Sequence, residues 1–417
     1  MSFRFVAAAA ALTLAACHST AVSPRASLQP DSLAIRRDVE HLASPALAGR
    51  LTGTPGNDSA AAYIARRYAA LGLREGVPGY LQRFVARANV RNAATLPTQN
   101  VVAILPGRDP ELASQYVVVG AHLDHLGAST EFANDPEARD ALRRGADDNA
   151  SGSAAVLELA RLFAASPTRR SIVFVNFSGE EQGLLGSQYF ADHSPAALDK
   201  VDAMINFDMV GRLKNDRLLI AGVGTANELQ TVLDSANSAV GLKIATSRDG
   251  WGRSDHASFT AKDIPVLHFF TDVHEDYHRA TDVPEKINAS GEARVVALAE
   301  RVIRDVANRP ARLTFVRIAQ PALVGGGRTG VYFGSIPDMA GSDTPGLRLQ
   351  GVTAGSPADR AGIKAGDVVV EFAGKAVKDL NDYSEALYGH KPDDEVTVVV
   401  LRDGRRMTFT VKLGKRG

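Results

Sequence analysis

Five short stretches of the chain set carboxylates and imidazoles where an apolar run gives way to a polar one. They are Gly120-Ala121-His122-Leu123-Asp124, Gly145-Ala146-Asp147-Asp148-Asn149, Ser178-Gly179-Glu180-Glu181, Asn206-Phe207-Asp208 and Tyr277-His278-Arg279-Ala280-Thr281-Asp282. Neutral imidazole nitrogens and ionised carboxylate oxygens are donors that zinc accepts when no thiolate is offered. The only cysteine is Cys17, so disulfides are ruled out and N and O donors are what remains. Side chains two apart on an extended segment point the same way, so Asp124 can stand behind His122 and fix its tautomer. Adjacent Glu180 and Glu181 can divide labour, one binding metal and the other serving as general base. Each stretch also has a plainer reading. Asp147 and Asp148 can cap the helix that follows Asn149-Ala150-Ser151-Gly152. Glu180 and Glu181 can be favourable first-turn acids of the next helix.

The elements that must position these groups alternate. Asn100–Leu105, Tyr116–Ala121, Ser171–Phe177, Asp202–Phe207, Leu218–Gly222 and Ile264–Phe269 are short runs rich in Val, Ile and Phe. Helical periods occupy Ala154–Ala165, Leu184–Ala191, Ala226–Val240 and Ala293–Ala307. Two earlier helices are expected, one capped by Asp31 or Ser32 and ending near Leu42, the other from Asn57 to about Leu71. Apolar strands separated by helices predict a three-layer α/β/α domain with a sheet covered on both faces. Ligands in such folds gather beyond the carboxyl ends of the strands, where the five stretches fall.

Residues 31–310 resemble the M28 family of zinc metallopeptidases, on the stretches GAHLDH, GADDNASG, GEEQGLLGS, NFDM and YHRATD. The resemblance implies two zinc ions. It places His122 and Asp208 on one, Glu181 and His278 on the other, and Asp148 between them. It makes Glu180 the general base and Asp124 the residue that orients His122, and it implies hydrolysis of peptide bonds, most often removal of N-terminal residues. Trp251-Gly252-Arg253-Ser254-Asp255-His256 is similar to the family's substrate-pocket loop. Residues 80–100 leave no room for the protease-associated insertion that many envelope members carry, and the charged loop Ala128–Arg144 has no assignment beyond a rim of the cleft. Three other outcomes stay open: a glutaminyl cyclase-like acyltransferase, a carboxypeptidase using Arg212 or Arg253, and a catalytically inactive peptide-binding scaffold. Cyclases of this fold typically have Trp where Tyr277 stands.

His274-Glu275-Asp276-Tyr277-His278 also satisfies HExxH, the pattern of a different zinc protease class. That motif works only on a helix, where positions i and i+4 share a face. Here it follows the apolar run Val266–Phe270 and precedes Thr281 to Pro284 closely, which leaves little room for a helix. His268, inside that run, reads as a core histidine.

After a linker at 311–320 the texture changes. Residues 321–417 resemble a PDZ domain, on Gly351-Val352-Thr353-Ala354-Gly355-Ser356-Pro357-Ala358 and Ala361-Gly362-Ile363-Lys364-Ala365-Gly366-Asp367-Val368-Val369. Tyr332, Phe333 and Gly334 lie where such domains receive a peptide C-terminus, and a fold-stabilising appendage is the plainer reading. At the other end, Arg4 and the apolar Phe5–Ala16 read as a secretory leader too short to span a bilayer. It ends in Leu14-Ala15-Ala16-Cys17, which resembles the lipobox of bacterial lipoproteins and implies acylation of Cys17; a cleavable signal with a chance cysteine is the alternative. Residues 1–17 would then be signal, 18–30 a tether, and the protein a lipid-anchored resident of the cell envelope. Lys plus Arg equals Asp plus Glu, 47 each, so no nucleic-acid partner is expected.

Overall fold

Runs of Val and Ile that are buried on both sides must pair inside a covered sheet. The computed structural model describes residues 28–87, 95–135, 137–318, 331–337, 346–353, 355–378 and 380–415. Its first domain has strands β1 (Arg74–Glu75), β2 (Leu81–Arg87), β3 (Thr95–Leu105), β4 (Tyr116–His122), β5 (Ser171–Phe177), β6 (Val201–Phe207), β7 (Arg217–Ala221), β8 (Lys243–Ser247) and β9 (Val266–Phe270). They form one sheet in the order β1-β3-β5-β4-β6-β9-β7-β8, with β2 paired to β3. The helices are α1 (Ser32–Leu42), α2 (Pro55–Ala70), α3 (Gly152–Ala165), α4 (Leu185–Asp192), α5 (Leu229–Asn237), α6 (His256–Thr260) and α7 (Ala289–Asn308).

Alternate residues of each central strand face opposite layers. Val117, Val119, Ile205 and Leu267 pack with α1, α2, α3, α5 and α7. Val118, Val173, Val175 and Met204 pack on Phe190 of α4 and Phe259 of α6. This is the expected three-layer α/β/α arrangement. Local chemistry explains several boundaries. Asp31 caps α1 by accepting from the Leu33 and Ala34 N–H groups. Pro55 opens α2 two residues before the expected start, because a first-turn proline needs no N–H. The expected helix over Ala226–Val240 is shorter, Leu229–Asn237, since Ala226 pairs with Phe315. β8 was not foreseen because it is an edge strand with little apolar burial.

The strand order decides where chemistry can happen. β5, β4, β6 and β9 are neighbours and mutually parallel. From β4 the chain passes through α3 to β5 on one side, then returns to β6 on the other. The reversal leaves a crevice beyond the end of β4, the position where such sheets bind ligands.

Residues 331–415 build a second, β-rich unit. Ser335–Pro337, Leu347–Val352, Val368–Phe372, Glu395–Arg402 and Arg405–Lys412 pair antiparallel in that order, and Val331–Tyr332 pairs with Gly414–Lys415. Helices Pro357–Ala361 and Leu380–Tyr388 complete it. Phe333 is buried against Phe372 and Tyr383, so its side chain belongs to the core. Gly334 has φ +90°, and a Cβ there would sit 2.1 Å from Ser356 Cβ. Cys17 lies outside the described residues, as does all of the tether except 28–30. Among the described residues no helix is long and apolar enough to cross a membrane.

Residues 311–318, expected as linker, are tied to the first domain instead. Arg312 donates to the Asp199 and Val201 carbonyls, Leu313 N–H to Asp202, and Thr314 to Glu228 through both N–H and hydroxyl. Val316 N–H donates to Thr225 O at 2.8 Å, and Trp251 Nε1–H to Ile318 O at 3.0 Å. Each such bond contributes roughly 0.5–1.5 kcal/mol net. A chain ending after Arg309 should therefore melt several degrees below one ending after Ile318, at roughly 2–4 °C per kcal/mol for a domain of this size. Trp251 is the only tryptophan, so its emission should shift to the red in the shorter chain alone. Identical melting and emission would show that the strap adds nothing.

Candidate metal centre

His122 ends β4, Glu180 and Glu181 follow β5, Asp208 follows β6, and Asp148 sits in the turn leading into α3. His278 lies in the loop after β9. All six therefore reach the crevice from one edge of the sheet. His122 Nε2 is 3.3 Å from Asp148 Oδ1 and 3.4 Å from Asp208 Oδ1. His278 Nε2 is 3.1 Å from Asp148 Oδ2 and 3.1 Å from Glu181 Oε2. The two oxygens of Asp148 thus face two separate imidazole–carboxylate sets. Glu180 joins neither set; its Oε2 is 4.0 Å from His122 Nε2.

Both imidazoles are aimed by carbonyls. His278 Nδ1 is 2.8 Å from Phe132 O, and His122 Nδ1 is 3.2 Å from Asp124 O. Donation of Nδ1–H to these acceptors leaves each Nε2 lone pair pointing into the cage. Asp124 lies behind the His122 ring, its carboxylate 3.7 Å from His122 Nδ1, and its oxygens also accept from Glu180 N–H (3.2 Å), Glu181 N–H (3.4 Å) and Thr52 Oγ1 (3.0 Å). The loop Ala128–Arg144 is not merely a rim. It carries Phe132 and is held by buried Arg143, which donates to Asp135, whose Oδ2 accepts from Ala280 N–H.

The turn bearing Asp148 is pinned from every side. Asp282 accepts from the Asp147 and Asp148 N–H groups. Asp147 accepts from Gly211 N–H, Ser151 and His274. At Gly145, with φ +58°, a Cβ would fall 1.9 Å from Asp148 O and 2.3 Å from the His125 ring. His274 therefore serves Asp147, residues 271–282 form turns and not a helix, and Glu275 is exposed. His268 stacks on His256, and burial holds its imidazole down at about 4.

Two participants were not singled out beforehand. His125 Nδ1 lies 2.8 Å from Glu181 Oε1 and 3.8 Å from Asp148 Oδ2, so His125 with Asp148 and Glu181 makes a second three-donor group beside His122, Asp148 and Asp208. It stands in the quoted GAHLDH, but strand alternation says nothing about a residue past the strand end. Ser254 donates to Asp208 Oδ2 at 2.7 Å, which joins the 251–256 loop to the cage.

Burial opposes charge on each of these groups, yet mutual attraction prevails. The carboxylates Asp208 and Glu180 hold the His122 imidazole well above its usual range, and Glu181 and Asp148 do the same for His278. Against burial, His278 and His125 hold Glu181 at about 2. Glu180 goes the other way, pushed well up by burial and then by Glu181 and Asp208. Carboxylates packed this densely out of water call for positive charge at the centre. A convergent set of imidazole Nε2 and carboxylate oxygens, with tautomers already chosen, fits a divalent ion of zinc's preferences.

His274→Ala should keep its metal and substantial activity, whereas His278→Ala should lose one metal position and most activity. Metal analysis after dialysis of both variants checks this, and equal metal loss in both would restore the HExxH reading.

Residues 100–303 match Peptidase family M28, and residues 329–413 match the PDZ domain. Leucine aminopeptidase 1 of Trichophyton equinum is 35% identical over 181 residues, which are 40% of this chain and 45% of that protein. The chain spans less than half the length of the curated relatives it matches. Among solved structures, the zinc aminopeptidase BSAP from Bacillus subtilis superposes with a TM-score of 0.56 at 17% identity, over 70% of this chain and 100% of that one. A Bacteroides thetaiotaomicron glutaminyl cyclase superposes with a TM-score of 0.56 at 18% identity, over 67% and 99%. At these identities the likeness speaks for the fold. With the fold, the donor set and these matches together, the chain joins a domain of peptidase family M28 to a C-terminal PDZ domain.

Proposed function

We propose that this protein is a two-zinc aminopeptidase with Glu180 as its general base. The observation that carries the reading is Asp148, whose Oδ1 faces His122 and Asp208 while its Oδ2 faces His278 and Glu181. His122, Asp208 and Asp148 would hold one ion, and His278, Glu181 and Asp148 the other. Zinc bound there supplies Lewis acidity toward water and the scissile carbonyl. Glu180 is the carboxylate left over, close to the cage and raised by burial toward the range where a base can take and return a proton. In this mechanism it accepts the proton of the attacking water and delivers it to the departing amine. Asp124 holds the main chain of Glu180 and Glu181, so base and ligand move together.

The relatives named aminopeptidases support N-terminal cleavage, since a free α-amine is a further donor to such a centre. A carboxypeptidase needs an arginine free to take the substrate carboxylate. Arg212 is occupied, 3.0 Å from Asp276 and 3.3 Å from Asp282, whereas Arg253 is exposed in the 251–256 loop, so cleavage from the C-terminus is one arm of the test. The decisive experiment gives wild type and Glu180→Ala the same peptide with a free and an acetylated N-terminus, read by mass spectrometry. Wild type should cleave only the free peptide, from its N-terminus. Glu180→Ala should keep its zinc and be slower by about 100- to 10,000-fold. Cleavage of the acetylated peptide from its C-terminus, cyclisation of an N-terminal glutamine, or near-normal rates in the variant would each overturn the assignment.

We further infer that the chain is exported and acylated at Cys17, and that the PDZ unit receives peptide C-termini at the Tyr332-Phe333-Gly334 loop. The Leu14-Ala15-Ala16-Cys17 stretch and the match to PDZ domains support these readings. Cys17→Ser should leave the protein unprocessed or released from membranes, as fractionation of expressing cells will report.

A further inference from the structure

Residues 44–57 precede the segment that matches the peptidase family, and none of the five chemical stretches includes them. Yet Arg50 is wholly buried and directs its guanidinium entirely at main-chain carbonyls. Nε donates to Leu123 O at 2.8 Å, and Nη1 to Leu42 O and Arg144 O at 2.6 and 2.7 Å. Nη2 donates to Gly145 O at 2.9 Å. Leu123 separates His122 from Asp124, and Gly145 opens the turn that carries Asp148. One planar fork therefore sets the spacing between the two loops on which the cage is built, a geometry lysine cannot reproduce.

The neighbours of Arg50 act on the same loops. Thr52 Oγ1 donates to Asp124 Oδ2, and Asn57 donates to Arg50 O while its Oδ1 accepts from Ser178, the residue that opens the Glu180-Glu181 turn. The backbone bends sharply to bring Arg50 inward. Ala48, Gly49 and Arg50 all have positive φ, at 47°, 69° and 53°. Gly49 tolerates no Cβ, which would meet Arg143 O at 2.2 Å. The two non-glycine positions of this kind, Ala48 and Arg50 on either side of Gly49, cost energy that the surrounding contacts must offset.

We propose that Arg50, seconded by Thr52, is a positioning residue for the metal cage, setting the separation of the His122–Asp124 and Asp148 loops before any ion binds. The inference rests on the reading that the cage holds zinc. A buried arginine could also serve only as cement. Both roles lower stability on mutation, but only positioning lowers the affinity of the folded protein for zinc. The test uses the full chain with Arg50→Lys and Thr52→Val, measuring zinc affinity by competition with a chromophoric chelator and melting with and without zinc. Both variants are expected to bind zinc about 10- to 100-fold more weakly, the range seen when residues behind metal ligands are changed. Their zinc-induced rise in melting temperature should shrink accordingly. Wild-type affinity in Arg50→Lys, with melting lowered equally in both states, overturns the proposal. If Arg50→Lys does not fold, wild-type affinity in Thr52→Val overturns it alone. A wild-type protein that binds no zinc would overturn the metal reading itself, which the same titration registers separately.

Discussion

The centre of this molecule is built around one carboxylate, Asp148, whose two oxygens look in opposite directions at two histidines. Around it Glu180, Glu181 and Asp208 converge in a crevice largely closed to solvent, and carboxylates so placed repel one another unless positive charge joins them. The protein supplies part of that charge through the imidazoles of His122 and His278 within the cluster and the buried Arg50 behind it. The distribution of protons shows the tension: Glu181 and Asp148 are held ionised by histidines, while Glu180 is raised by the same crowding. One crowded environment thus pushes two adjacent carboxyl groups in opposite directions.

Holding such a cluster in place needs many supports, and most of them act on or through main-chain groups. Asp282 grips the Asp147 and Asp148 N–H groups, Asp124 those of Glu180 and Glu181, and the Phe132 and Asp124 carbonyls aim the two imidazoles. Ser254 does the same for Asp208. These contacts come from loops far apart in sequence, and the sheet brings them together because β5, β4, β6 and β9 run parallel with their ends aligned.

Residues 311–318 are not a free tether. The strap at 311–318 runs along the first domain and reaches Trp251, in the loop whose Ser254 holds Asp208. Chain leading to the PDZ unit therefore touches the same loop as the metal cage.

What the sequence determined by itself is local and repetitive. Apolar runs announced the strands of a covered sheet, and acid and imidazole groups at their ends announced a metal-binding chemistry, because both signals repeat at short range. Glu180 and Glu181, His122 and Asp148 were legible for that reason. The tertiary structure alone decided which contacts those groups make. Asp124 holds the Glu180 and Glu181 backbone besides lying behind His122, contacts that strand alternation cannot announce. His274 went to Asp147 and not to the cage, since residues 271–282 are turns. Arg50 and Phe132 were invisible in the sequence, because what they contribute passes through backbone carbonyls, and a carbonyl is the same at every residue until the fold chooses its partner.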